Sequence, residues 1–225
     1  MRIHWNGRGA TGRFSIAAEP EAYDATPAVS DFFVDRDMLL LSDDVLSLAA
    51  FLAFAPYCSG SLTLPRSVSP ELAQAITEFQ APAWVRVANV DMEPRRAPQG
   101  SGMALVVDDS LTFEPLPNTW GRARNLAVGV LDSASWAGDL VGTDRLLVAS
   151  NAHLISQIGP ASHAYLPLVA TAMLFMESYN CSTLVLPDDA VDAAMWDRLA
   201  GLVKAAKFAL LRESEARAFL AATTS

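Results

Sequence analysis

The sequence predicts an α/β fold: a largely parallel sheet covered by helices, preceded by a small N-terminal α+β part. Two observations carry this expectation. The first is a change in the strand-like runs along the chain. "MALVV", "NLAVGVLD", "RLLVAS" and "STLVLP" are continuously apolar, as strands buried on both faces of a parallel sheet are. The second is the stretch "EPRRAPQGSG", which places two prolines and two glycines in ten residues just before that change. Such punctuation marks a linker. The expected organisation is an N-terminal α+β part over residues 1–92, a linker over 93–102 and an α/β domain over 103–225.

The elements follow in order. "RIHWNG" and "GRFSIAAE" flank the glycines Gly7, Gly9 and Gly12 and read as a hairpin. "SDFFVDR" is a further short strand. Ser42 is a good N-cap, with Asp43 and Asp44 in the first turn, where the helix dipole favours negative charge. The helix Asp43 to Ala55 has Val45, Leu46, Leu48, Ala49 and Leu52 at helical spacing and stops at Pro56. "SLTL" is a strand. Ser69 caps a second helix with Pro70 in its first position, where a missing N–H costs nothing. "AWVRVANV" alternates like a strand. In the second half, "SHAYLPLVATAMLFMESYN" reads as one long apolar helix despite Pro167. Val191 to Leu220 reads as one or two amphipathic helices, with Gly201 as a break.

Composition narrows the function. The 225 residues are 52% hydrophobic and only 18% charged, which excludes a disordered chain. A chain this long buries roughly 70% of its unfolded surface and needs no staple. The net charge is −9, and the only lysines are Lys204 and Lys207. No basic stripe is formed, so nucleic acid is not the expected partner. Two cysteines, Cys58 and Cys181, cannot build a four-thiolate zinc site. The start "MRIHWNGRG" lacks the apolar core of a secretory signal. The run "VLSLAAFLAFAPYC" is shorter than the roughly 20 residues of a membrane span. The expected location is the cytoplasm, with both thiols free and no membrane contact.

In open α/β sheets, ligands bind at the carboxyl ends of the strands. The polar groups expected there are Asp108, Asp109 and Ser110 after the first apolar strand, and Asp132 and Ser133 after the second. Ser150, Asn151 and His153 follow the third, and His163 lies near the start of the next helix. For Asp108 and Asp109 two readings stand: a Mg²⁺ site or raised-pKa base, and an acidic strand-to-loop turn. His163 reads either as a contact to a substrate carboxylate or phosphate or as a surface histidine near a cap. Ser133 and Ser135 lie in no G-x-S-x-G elbow, which argues against a hydrolase. "GRGATG" lacks a P-loop lysine and reads as a hairpin turn. Met173, Phe175 and Met176 read as helix core.

Several phrases, in order, resemble the PP-loop ATP pyrophosphatase superfamily, especially the group like 7-cyano-7-deazaguanine synthase and the muramoyl-dipeptide epimerase. They are "LPRSVSPELAQAI", with Val68, Ser69 and Pro70 matching, then Trp84, "VASNAHLIS", "PASHAYLPLVATAMLF" and "TLVLP". The similar stretch runs over roughly residues 38–190. The resemblance implies a Rossmann-like sheet of the PP-loop/HUP type. It also implies ATP with Mg²⁺, a nucleotide site around Asp108, Asp109, Ser110, Asp132 and Ser133, and a substrate or partner pocket at Ser150, Asn151, His153 and His163.

The phosphate-binding phrase of that superfamily, S-G-G-x-D-S, survives here only as "VVDDS". Asp109 and Ser110 match its last two positions. The glycines, which let backbone N–H groups cradle phosphate, are replaced by Val107 and Asp108. At an effective dielectric near 20, a carboxylate repels one phosphate charge 4 Å away by roughly 4 kcal/mol; a bridging Mg²⁺ reverses that sign. Two prolines in "TFEPLPNTWG" stand where a phosphate-facing helix should begin. The sequence therefore points to a non-catalytic nucleotide-binding or partner-binding subunit. The alternative is an adenylating, pyrophosphate-releasing, amide-forming ligase. The apolar composition further predicts a homodimer or a second subunit. The candidate faces are Ala190 to Leu220, through Leu199, Leu202, Val203, Ala206, Leu210 and Leu211, and the helix Tyr165 to Tyr179.

Overall fold

The computed structural model of the chain describes residues 1–6, 12–38, 41–93, 100–108, 113–118 and 124–224. The N-terminal runs form the expected hairpin. β1 (Arg2–Trp5) and β2 (Phe14–Glu19) pair antiparallel, with Arg2 opposite Glu19 and Trp5 opposite Ile16. β2 alternates as a half-buried strand must, sending Phe14, Ile16 and Ala18 inward. β3 (Asp31–Val34) pairs antiparallel with β2.

α1 (Asp43–Phe54) begins where the cap places it, with the Ser42 hydroxyl oxygen accepting from Val45 N–H at 3.4 Å. It ends before Pro56, which sits in a 3-10 turn over residues 55–57. All of its residues after Asp43 are buried, as expected of a helix that is apolar all round and lies inside a core. β4 (Gly60–Leu62) and β5 (Val85–Val87) form a separate parallel pair, joined by α2 (Pro70–Gln80). Ser69 caps α2 through Leu72 N–H, and Leu72, Ile76 and Phe79 are its buried stripe.

The apolar runs of the second half form the parallel part of the sheet. β6 (Gly102–Asp108), β7 (Leu126–Asp132), β8 (Asp139–Val141) and β9 (Arg145–Ser150) come first. α3 (Ala152–Ile158), α4 (Leu166–Met173) and β10 (Cys181–Leu186) follow. α5 (Ala193–Ala205), β11 (Ala209–Arg212) and α6 (Glu213–Thr224) close the chain. The sheet order is β1-β2-β3-β9-β7-β6-β10-β11, with β8 antiparallel on the outer side of β9. From β9 to β11 every pairing is parallel. The fold is thus α/β with a mostly parallel sheet. β3 joins it antiparallel at one paired position, Val34 with Ser150.

Both faces of the parallel strands are covered, which explains their uninterrupted apolarity. On one face Ala104, Val106, Val128, Val148 and Leu184 belong to the main core with α1 and α4. That core draws on residues from before 93 and after 102. On the other face Met103, Leu105, Val107, Ala127 and Val185 pack against Leu116, Ala216 and Leu220. Between β6 and β7 the described residues 113–118 are not helical. Pro115 and Pro117 lie there, and each lacks the N–H that a helix needs.

Three expectations are corrected. The C-terminal stretch is not only helical, because Ala209–Arg212 forms a parallel edge strand on β10. Lys207 at φ 68° ends α5 and turns the chain into it. The long helix expected over "SHAYLPLVATAMLFMESYN" is a 3-10 turn at residues 161–163 followed by α4, whose first turn contains Pro167. Asn180 at φ 54° then redirects the chain into β10. Of the apolar faces expected to seek an outside mate, Leu199, Leu202 and Val203 are fully buried within this chain, as is all of α4, whereas Leu210 and Leu211 are half-buried on β11. No helix among the described residues is long and apolar enough to cross a membrane.

Candidate functional site

The chain leaves β6 for β7 on one side and reaches β10 on the other, so the strand order reverses between β6 and β10. A crevice opens at the carboxyl ends of strands at such a switch point. Here it is a cavity of about 460 Å³, within the size range of small-ligand sites. Its polar lining is Asp108, His153, Ser156, Gln157, Ser162, Tyr165, Asp189 and Asp192.

Asp108 is the last residue of β6 and the first exposed one, because the strand leaves the core there. His153 sits in the first turn of α3 and points back over the sheet. Its Nε2 lies 2.8 Å from the Val130 carbonyl oxygen, and its Nδ1 lies 3.3 Å from Asp108 Oδ1. A carbonyl only accepts, so Nε2 carries a hydrogen. A hydrogen bond between Nδ1 and Asp108 then requires one further proton on the pair. The His153 side chain is 12% exposed and that of Asp108 is 55% exposed. The imidazole is thus the anchored partner and the carboxylate the presented one.

Tyr165 donates to the Val106 carbonyl oxygen at 3.4 Å. Burial raises its pKa, and the negative charges of Asp108, Asp189 and Glu213 add to the effect, so it stays a neutral phenol. Asp192 caps α5 by accepting from Met195 N–H at 2.8 Å. Asp189 has no hydrogen-bond or ion-pair partner among the described residues. The hydroxyl oxygen of Ser156 is buried and likewise unpartnered. No lysine or arginine lines the cavity among the described residues.

Of the residues singled out in the sequence, Asp108 and His153 meet in this cavity. Asp109 and Ser110 lie outside the described residues. Asp132 closes a turn after β7, its Oδ1 accepting from Ala134 N–H at 2.9 Å, and Ser133 N–H bonds to the Ser150 carbonyl at 3.0 Å. Ser150 and Asn151 do not line the cavity, because their side chains bond the backbone of β3. Ser150 Oγ donates to the Phe33 carbonyl at 2.7 Å, and the Asn151 amide bonds Phe33 N–H and the Asp31 carbonyl. His163 also faces away, edge-on to Phe79, with its Nδ1 2.9 Å from Ser162 Oγ. Burial, and then the Arg198 charge, lower its pKa.

Sequence reasoning missed Ser156, Tyr165, Asp189 and Asp192. The "DDA" after "STLVLP" has the same apolar-to-acidic form as "VVDDS". Only the strand order reveals that these two strand ends are neighbours.

The described lining does not fit a bare triphosphate. Three carboxylates face the space with no lysine or arginine beside them, and no three candidate metal ligands converge among the described residues. Comparison with known proteins gives no match to any family model, any curated protein or any solved structure.

Proposed function

We propose that this chain is a non-catalytic, PP-loop-derived binding protein that holds a small molecule over the β6–β10 switch point without releasing pyrophosphate from ATP. One observation carries the reading: a cavity of about 460 Å³ at the carboxyl ends of β6 and β10, lined by the carboxylates of Asp108, Asp189 and Asp192 and by the His153 imidazole. Its place is where a doubly wound sheet binds ligands. Its charge opposes ATP pyrophosphate chemistry, which needs donors and cations aimed at the phosphates. The same strand end bears Val107 and Asp108 in place of cradle glycines. A PP-loop ancestry accounts for the order of the sequence phrases and agrees with the parallel strand order.

The test is pyrophosphate release from ATP–Mg²⁺ across a panel of carboxylic acids, beside a thermal-shift screen of small molecules. The expected result is stabilisation by a ligand, lost in Asp108→Asn, and no pyrophosphate. Pyrophosphate release that Asp108→Asn abolishes would instead place the chain among adenylating ligases. Neither binding nor turnover would leave a protein that acts through a partner surface.

A further inference from the structure

Resting on the ligand-binding reading above, we propose that the switch-point cleft selects a small molecule bearing a protonated amine, held by Asp108 and Asp189. The charge of the lining decides this. His153 can carry at most one positive charge, against the three carboxylates of Asp108, Asp189 and Asp192, so the described wall is net negative. The opposing positive feature is the N-terminus of α5 at the same wall, equivalent to about half an elementary charge. That end is already capped by the Asp192 carboxylate. An anion would therefore enter a negative space, whereas an ammonium group gains charge-assisted hydrogen bonds to carboxylates.

The wall supplies the acceptors. His153 is fixed by the Val130 carbonyl and lies with its Nδ1 3.3 Å from Oδ1 of Asp108. Asp108 Oδ2 has no hydrogen-bond partner among the described residues, and the half-exposed carboxylate is presented to the cleft. Asp189 offers a second carboxylate, and the buried Ser156 hydroxyl, also unpartnered, is a further polar group on this wall. Ammonium donates up to three hydrogen bonds and accepts none, which matches a wall of acceptors. A divalent cation is the competing occupant, but three metal ligands do not converge among the described residues. Asp108 and Asp189 act by binding; His153 is a positioning residue that acts through Asp108.

The experiment uses the full chain in calorimetry with four probes: 1,4-diaminobutane, neutral 1,4-butanediol, inorganic pyrophosphate and Mg²⁺ alone. Histidine NMR shifts report whether the cleft is occupied. The expected result is diamine binding that perturbs His153 and is weakened about ten-fold or more by Asp189→Asn and by Asp108→Asn. His153→Gln should weaken it less, since the carboxylate remains. Asp189 is exposed and bonds nothing among the described residues, so Asp189→Asn keeps the fold and isolates the charge. Tighter binding of pyrophosphate or Mg²⁺ at His153 overturns amine selectivity and leaves the ligand-binding reading intact. Diamine binding that neither aspartate substitution alters also overturns it. Silence from all four probes overturns the amine proposal, while a different ligand found in the thermal-shift screen would preserve the broader reading.

Discussion

Asn151 holds Phe33 across the seam between β9 and β3, its Oδ1 accepting the Phe33 N–H at 2.9 Å. Its Nδ2 donates to the Asp31 carbonyl at 2.6 Å. The ladder there has a single paired position, Val34 with Ser150, so this amide supplies bonds that a longer ladder would. Asn151→Ala leaves a partly buried N–H and C=O unpaired and should cost about 2–4 kcal/mol. Urea unfolding should show a lower midpoint with an unchanged slope. A loss below about 0.5 kcal/mol, typical of a surface substitution, would show that the seam does not depend on this side chain.

The His153 tautomer follows from its partners. With Nε2 donating to the Val130 carbonyl, the neutral ring must be the Nε2–H form. Long-range proton–nitrogen NMR should show it at pH values where the ring is neutral. Observation of the Nδ1–H form would contradict the site geometry.

Asp24 makes an acid-sensitive tie. Its side chain is buried beside the chain's amino group and accepts from Ser59 N–H and Glu21 N–H, each at 2.8 Å. Burial alone would raise its pKa, but the bonds from the ammonium and the two N–H groups outweigh burial and hold it below the usual value. A lowered folded-state pKa means that the unfolded chain binds the proton more readily. The contribution is therefore complete above the unfolded value, near 3.9, and is lost as pH falls through the lower folded value. Stability measured from pH 6 downward should drop over that window, and Asp24→Asn should lose that component. An identical acid profile in both proteins would refute the assignment.

Both thiols should be inert in the folded protein. Burial pushes Cys58 up to about 12, with the Asp24 charge adding to it, and burial alone pushes Cys181 up to about 12. Only the thiolate reacts. Labelling with a thiol reagent at pH 8 should yield two modified cysteines only after denaturation. Rapid labelling of either one in the native state would show that its cover opens.

Leu202→Glu should unfold the chain. The side chain, on α5, is fully buried in the main core. A carboxylate there loses its solvation without a partner and also forfeits the leucine packing, a cost of at least about 3 kcal/mol. Circular dichroism melts should show a large fall in Tm. A well-folded variant with altered oligomeric state would revive the outward-facing helix expected from composition.

The helix caps were legible because their cause is local. Ser42 and Ser69 each sit one residue before an acidic or proline-started apolar run, and each accepts the N–H expected of a cap. The parallel strands were legible because burial on both faces writes itself as uninterrupted Val, Leu and Ala. β11 was not legible: "ALLR" is too short to show a period, and it becomes a strand only because β10 offers it an edge. The long helix failed at Pro167 and Asn180 for a similar reason, since the chain's path into β10 outweighs local apolarity.

The candidate site divides along the same line. That Asp108 ends an apolar strand, and that His153 follows another, was determined by the sequence itself, through the abrupt change from apolar to polar residues. Which strand ends are neighbours was decided only by the tertiary structure, because sheet order is set by crossover packing between segments far apart in the chain. That order brings Asp189 and Asp192 beside Asp108, turns His153 onto it, and commits Ser150 and Asn151 to the backbone of β3. A polar side chain at a strand end can serve a ligand or a neighbouring strand, and the outcome depends on which backbone groups the fold leaves unpaired within its reach.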